Sequence, residues 1–355
     1  MQHFIYTAQP IRVCFGNGIL HNIAAEADAL GMKKIFILST PGQRHLAEKV
    51  VHLLAERANG IYDQAKMHVP IEIVEDALNI TTQSSADGYV AIGGGSTIGL
   101  AKALASKTQL PFIAIPTTYS GSEMTMVYGI TNQGLKTTTK DPHVLPKTVL
   151  YDPELSLNLP YAISASSGLN AIAHAAEGLY AQDINPVSAL MAEDGIRAMA
   201  AGLRRLQKST QDLQARNDCL YGAWLCGMVL ASAGMALHHK LCHTLGGSFN
   251  LPHADTHAVI LPHSIAYNAS AAPEAMNRIS RALEQPQDPA PIALFDLLQE
   301  LGIAHSLKAL ELKEENLDQA ARLAVANAYW NPRPVEFDSV RQLLDHAFHG
   351  KRPTQ

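Results

Sequence analysis

"YVAIGGGSTIGLAKALAS", from Tyr89 to Ser106, is the stretch on which the reading of the fold turns. It begins as a short apolar run of strand type, passes through three glycines and continues into an Ala/Leu-rich segment with helical spacing. A strand that gives way at once to a helix is the unit from which parallel α/β sheets are built. Gly93, Gly94 and Gly95 would let the backbone approach a pyrophosphate closely. Ser96 and Thr97 add hydroxyl donors, and the helix N-terminus offers N–H groups and a favourable dipole. The spacing Gly93-x-Gly95-x-x-x-Gly99 is one residue off the usual dinucleotide fingerprint. A tight strand-to-helix turn with no ligand would use glycines as well.

The same alternation extends to both sides. "KIFIL" (Lys34 to Leu38), "PFIAIP" (Pro111 to Pro116) and "TVLYDP" (Thr148 to Pro153) are further short apolar runs, and "GQRHLAEKVVHLLAERA" has helical spacing between two of them. "YGITNQGLKTTTK" predicts an appended β-hairpin turning at Asn132, Gln133 and Gly134. After Pro160 the β-runs stop. Asn185 is placed as an N-cap with Pro186 at the first helical position. Leu213 to Leu245 is predicted as one long helix ending at Gly246-Gly247. "LFDLLQELG", "LDQAARLAVANAYW" and "DSVRQLLDHAFHG" carry the helical pattern to the end. The expected architecture is an α/β domain over residues 1–157, followed by an all-helical domain over residues 158–355.

Composition restricts the partners. With 47% hydrophobic and 17% charged residues, the 355-residue chain has the make-up of a well-buried globular protein. The net charge of −5 and the lack of a Lys/Arg block argue against nucleic acid or an anionic membrane as partner. The N-terminal stretch shows no basic segment leading into an apolar core, so no export signal is expected. Cys14, Cys219, Cys226 and Cys242 form no CxxC pair and read as reduced core residues of a cytoplasmic protein.

Three further stretches carry chemistry. "IPTTYSGSE" (Ile115 to Glu123) follows a β-run, at the edge where open α/β sheets bind ligands. Thr117, Thr118 and Ser122 could reach phosphate, ribose or nicotinamide there, or simply satisfy a polar loop. "IFILSTPGQ" ends in Ser39, Thr40 and Pro41 without the carboxylate that would bind a ribose 2′-hydroxyl and repel a 2′-phosphate. NADPH is therefore expected to be tolerated alongside NADH. The third stretch is "HHKLCHTLGGSFNLPH" (His238 to His253). His239 and His243 are four apart on a predicted helix, as are Asn170 and His174 in "SSGLNAIAHAAEG", and His253 follows. Three histidines and one oxygen from two helices and a loop could hold a divalent metal. An amide, however, brings no charge to offset the cation. His238, His257 and His263 read as packing, capping or surface residues.

Taken together, "GGGST" with Lys102 after it, "PTTYSGSE", "LYDPEL", "SGLNAIAHAAEG" and "HHKLCHTLGG" followed by "LPH" resemble the iron-containing alcohol dehydrogenase superfamily, which includes dehydroquinate synthase-like folds. The resemblance covers essentially the whole chain. It implies an N-terminal nucleotide-binding domain, a helical C-terminal domain, a cleft between them and a homodimer. Metal-dependent relatives use an aspartate and three histidines, and the matching positions here are Asn170, His174, His239 and His253. Asn170 departs from that pattern, as does Gly99, where many relatives carry an aspartate. "GLKTTTKDPHVLPKTV" and "YWNPRP" point within the superfamily to a branch that reduces an unsaturated oxo-dicarboxylate late in aromatic-ring degradation, for which a catalytic metal is not a firm expectation.

That resemblance implies hydride addition to a carbon–carbon double bond conjugated to a ketone, giving an enolate that is then protonated. His243 and His253 are the candidates for proton donation and enolate stabilisation, with His174 and His239 positioning the substrate. Arg333 would bind one substrate carboxylate, assisted by Tyr119, and Asn170 would also contact the substrate. The competing readings are a metal-dependent alcohol or polyol dehydrogenase that holds zinc or iron despite Asn170, a non-redox lyase that recycles tightly held NAD, and a nucleotide-binding sensor.

Overall fold

The computed structural model describes residues 3–133, 135–327 and 329–354. Its contacts divide into two units: Ala8–Leu159, and Pro160–Gln355 with the N-terminal stretch up to Thr7. The division after Leu159 falls two residues beyond the expected one, and the stretch before Ala8 belongs with the helical unit instead of the α/β unit.

In the first unit, β1 (Arg12–Phe15), β2 (Ile35–Leu38), β3 (Ala58–Tyr62), β4 (Gly88–Gly93), β5 (Phe112–Pro116) and β8 (Thr148–Tyr151) form one sheet in the order β1-β8-β5-β4-β2-β3. Every pairing in it is parallel. β2, β4, β5 and β8 are buried along their whole length, as strands covered on both faces must be, and these are the runs legible in the sequence. β1 and β3 were not anticipated. They are the two edge strands, and edge positions tolerate the Arg, Asn and Gly that hide their apolar pattern. Helices α1 (Ile23–Ala29), α2 (Arg44–Leu54), α3 (Ile71–Gln83) and α4 (Gly95–Thr108) lie between strands in the chain order. From β2 the chain steps outward to β3, then returns to the other side of β2 for β4 and moves away to β5. The C-terminal ends of β2 and β4 therefore flank a topological switch point, the usual ligand crevice of such sheets. β6 (Val127–Asn132) and β7 (Leu135–Lys140) form the expected antiparallel hairpin, with Asn132 opposite Leu135. Gly134, the third expected turn residue, lies outside the described residues.

The second unit is helical: α5 (Tyr161–Gly178), α6 (Pro186–Lys208), α7 (Leu213–Ser232), α8 (Leu237–Phe249), α9 (His253–Asn268), α10 (Pro273–Ala282), α11 (Ala290–Glu300), α12 (Leu317–Val325) and α13 (Phe337–His349). Asn185 caps α6 as expected, its Oδ1 accepting from the N–H groups of Val187 and Ser188, both at 3.1 Å. The single helix expected over Leu213 to Leu245 is instead two, α7 and α8, bent by 99° across a short break. Long-range contacts create the break. The N–H of Gly234 donates to the Asp183 carboxylate at 2.8 Å. Glu177 of α5 accepts from the N–H groups of His238 and His239 at 2.7 and 3.4 Å. A buried carboxylate at a new helix N-terminus satisfies orphan donors and meets the positive end of the dipole. At its other end α8 runs through Gly246 and Gly247 and closes on Asn250, which takes the left-handed conformation at φ 56°. All four cysteines are free thiols. No single helix among the described residues is long and apolar enough to cross a membrane.

Candidate active site

The glycine turn forms one half of a cradle. Gly93 ends β4 at φ 157°, where a side chain would collide with Thr97 Oγ1, so the turn can be made only by glycine. Gly94, Gly95 and Ser96 are partly open, and as the start of α4 their N–H groups have no partner one turn back. β5 supplies the other half. The N–H of Thr117 donates to Gly93 O at 3.0 Å, and Thr118 and Ser120 lie against Gly94 and Gly95. Two sequence-predicted loops thus meet at the C-terminal ends of adjacent strands. The geometry suits a diphosphate: small residues, exposed N–H groups and partly open hydroxyls.

Three of the expected cofactor residues serve this cradle from behind. Thr97 is buried beneath Gly93, Thr117 is buried and accepts from Gln43 Nε2 at 2.7 Å, and Ser122 is used through its carbonyl. Ser39 has to be corrected. It is fully buried, its N–H bonded to Tyr62 O and its carbonyl to the N–H of Ala65, so its side chain does not face a ribose. Thr40 is the partly exposed residue at that edge.

The helical unit gathers the histidines. Asn170 and His174 come from α5, His239 and His243 from α8, and His253 begins α9. Asn170 Nδ2 lies 3.2 Å from His174 Nε2, His174 Nδ1 lies 2.8 Å from His239 Nε2, and His239 Nδ1 is hydrogen-bonded to Glu177. With both rings neutral and the Asn170 amide turned as it stands, one assignment of protons satisfies this row. A buried carboxylate is an acceptor, so His239 donates from Nδ1 and accepts at Nε2. His174 then donates from Nδ1 and accepts at Nε2 from the Asn170 amide N–H. The amide oxygen of Asn170 is left buried with no partner.

A second row runs beside the first. Ser264 Oγ donates to Leu261 O and therefore accepts from His238 Nδ1 at 2.9 Å. His238 Nε2 accepts in turn from His257 Nδ1, also at 2.9 Å. Burial pulls both imidazoles well below their usual range, with the surrounding histidines adding to the effect. His243 and His253 are different. Both are exposed within the chain, and their rings stack with centroids 6.3 Å apart and planes 18° from parallel. The cluster thus grades from a closed, neutral interior to an open pair of imidazoles able to meet a ligand.

The donor set fits a divalent cation poorly. The position matching the anionic ligand is an amide, and the facing nitrogens of His174 and His239 are committed to one another. Another triplet, His238, Cys242 and His257, has donor atoms within 4.8 Å of one another. Burial pushes the Cys242 thiol well above its usual range, which disfavours the thiolate a soft metal requires.

Two expected substrate contacts are also corrected. Tyr119 is completely buried in the first unit and has no surface to offer a carboxylate. Arg333 stacks on Tyr267 at 4.3 Å and donates to Tyr267 O and Ser339 Oγ. Tyr267 lies 14 residues beyond His253 on α9, about 21 Å along the helix at the usual rise. Arg333 therefore cannot share a small substrate with His253. Sequence reasoning missed Glu177, whose i, i+3 spacing from His174 was its only local signal, and Gln43. It read His238 and His257 as packing, capping or surface residues; both are fully buried and occupy the centre of the cluster. It also passed over Lys240, whose ammonium sits 6.0 Å over the Tyr329 ring with no carboxylate partner among the described residues.

A parallel sheet with a glycine cradle, followed by helices that assemble histidines around an aspartate-to-asparagine exchange, defines a class that comparison with known proteins makes explicit. The iron-containing alcohol dehydrogenase model matches residues 10–153, and the C-terminal model of the Fe-containing alcohol dehydrogenase family matches residues 164–348. The chain belongs to the iron-containing alcohol dehydrogenase family. Within it, the chain groups with maleylacetate reductases. That of Burkholderia cepacia is 54% identical over 354 residues, the full length of both chains. The crystal structure of maleylacetate reductase from Agrobacterium tumefaciens superimposes with a TM-score of 0.96 at 48% identity, covering 99% of this chain and 100% of that one. The structure of the enzyme from Rhizobium sp. strain MTP-10005 gives 0.95 at 49%, with the same coverage.

Proposed function

We propose that the chain reduces maleylacetate, with or without ring-derived chlorine, to 3-oxoadipate at the expense of NADH or NADPH, as a homodimer and without a catalytic metal. The observation that carries this reading is the open His243–His253 pair beside a closed hydrogen-bonded row in which an amide stands at the anionic ligand position. The cradle at Gly93 to Ser96, roofed by Thr118 and Ser120, is the part of the chain that would hold the pyrophosphate.

The nicotinamide, when bound, supplies a hydride to the alkene carbon β to the ketone. The π electrons move toward the keto oxygen, and the enolate needs donors there. His243 and His253 supply imidazole N–H groups for that charge, and one of them, as imidazolium, delivers the proton to the α-carbon. The balance is two electrons and one proton from the reduced cofactor and one proton from the protein, replaced from water. His174 and His239, held by Glu177, fix the wall behind the reacting carbons. Lys240, one helical turn before His243, is assigned to a substrate carboxylate in place of Arg333.

The test follows absorbance of the reduced nicotinamide with maleylacetate before and after exhaustive chelation, with metal content measured on the same samples. Turnover that survives chelation is expected. Turnover lost on chelation and restored by zinc or iron would replace this mechanism with metal-assisted carbonyl polarisation. No turnover in a folded, metal-replete sample would remove the substrate assignment.

A further inference from the structure

Lys102 is a fully buried lysine with no place in the mechanism above. It lies two turns into α4, the helix whose N-terminus forms the glycine cradle. Its Nζ meets four oxygens: Ser122 O at 2.5 Å, Thr125 O at 2.7 Å, and Thr125 Oγ1 and Val127 O at 2.9 Å. Three are backbone carbonyls of one short segment, Ser122 to Val127, which continues directly from the Thr117–Ser122 strap. That array resembles the shell of a bound cation more than a lysine's usual single ion pair. All its members can accept; the ammonium brings three donors to them, and the Thr125 hydroxyl itself donates to Ser122 O at 3.1 Å. Between the carbonyls of Ser122 and Thr125 the chain carries Glu123, also fully buried, whose carboxylate accepts from Tyr151 O–H at 2.7 Å. Burial pulls the Lys102 ammonium down to about 7, and the neighbouring Glu123 carboxylate acts against that fall.

We infer that Lys102 is a positioning residue for the dinucleotide. It acts as a built-in cation that ties the Thr117–Ser122 strap to the helix bearing the Gly93–Ser96 turn. The two halves of the cradle come from different strands, and the Thr117 N–H to Gly93 O bond joins them only at the strand ends. Lys102 fixes the far end of the strap. Without it the carbonyls of Ser122, Thr125 and Val127 lose their common donor, and Thr118 and Ser120 are no longer held over Gly94 and Gly95.

This inference rests on the cofactor reading above, and the experiment separates the two. NADH affinity is measured by titrating its fluorescence on wild type, K102M, K102A and T125V, with steady-state constants for NADH and maleylacetate on each. Wild type that binds no NADH would overturn the cofactor reading itself. If wild type binds, K102M is expected to weaken NADH by about tenfold or more, as loss of charged hydrogen bonds implies. kcat at saturating NADH should change far less. K102A is expected to regain affinity in ammonium or methylammonium chloride and not in sodium chloride of equal ionic strength. That readout distinguishes a missing cation from general loosening. K102A that binds like wild type, or that answers equally to both salts, would overturn the role. Should neither lysine variant fold, T125V keeps the lysine and removes one oxygen. A threefold or so loss of NADH affinity is expected there, and unchanged affinity would refute the clamp.

Discussion

Glu177→Ala removes the acceptor around which the histidine cluster and the start of α8 are both organised. Glu177 is completely buried and takes hydrogen bonds from the N–H groups of His238 and His239 and from the His239 ring. The truncation strands these donors at a buried helix N-terminus. At about 1–3 kcal/mol for each buried donor left unsatisfied, with the weak 3.4 Å bond counting least, the loss comes to roughly 3–6 kcal/mol. Urea unfolding followed by far-ultraviolet circular dichroism measures it. A loss under about 1 kcal/mol would show that the carboxylate is not the organising acceptor. Glu177→Gln is the finer probe, because it keeps the shape and one oxygen but turns an N–H group toward His239. With the amide oxygen kept on the shorter bond from the His238 N–H, the row then runs the other way. His239 accepts at Nδ1 and donates from Nε2, His174 follows, and the Asn170 amide turns its oxygen inward. Long-range proton–nitrogen NMR correlations report the tautomers directly. A wild-type His239 whose Nδ1 carries no proton would refute the proton assignment of the whole row.

Asn170→Asp should restore the missing ligand charge, so the purified variant is expected to carry more zinc or iron than wild type. Elemental analysis decides it, and equal metal content in both would contradict the reading of Asn170. Gly99→Asp should destabilise the first unit, because a Cβ there would stand 2.8 Å from Val69 Cγ2. The overpacking cost is about 1–3 kcal/mol, and an unchanged melting temperature would show that Val69 gives way freely. Acid should weaken the helical unit. His238, His257 and His263 all resist protonation when folded, His263 down to about 3, while the unfolded chain takes up protons near 6.5. Below that pH the unfolded state binds more protons. Stability then falls as pH drops, by up to about 1.4 kcal/mol per pH unit for each histidine. A urea midpoint that stays constant from neutral pH to mildly acidic pH would contradict this.

The sequence by itself determined whatever local spacing can encode. The buried runs of β2, β4, β5 and β8 are apolar throughout, so they stood out, whereas the edge strands β1 and β3 did not. The Asn185-Pro186 cap, the glycine turn at Gly93 and the i, i+4 pairs Asn170–His174 and His239–His243 are all properties of a few consecutive residues. The tertiary structure decided what depends on residues far apart in the chain. The break between α7 and α8 exists because Glu177, 62 residues before His239, supplies acceptors for a new helix start. Arg333 looks available for a carboxylate until Tyr267, 66 residues away, is seen to hold it. His238 and His257 become the closed interior of the cluster only when α8 and α9 pack together. Lys102 looks like an ordinary helix lysine until the Ser122–Val127 carbonyls fold around it. Periodicity records which face of an element is buried. It does not record which partner waits there, because the partner is chosen by packing between segments that the local sequence does not connect.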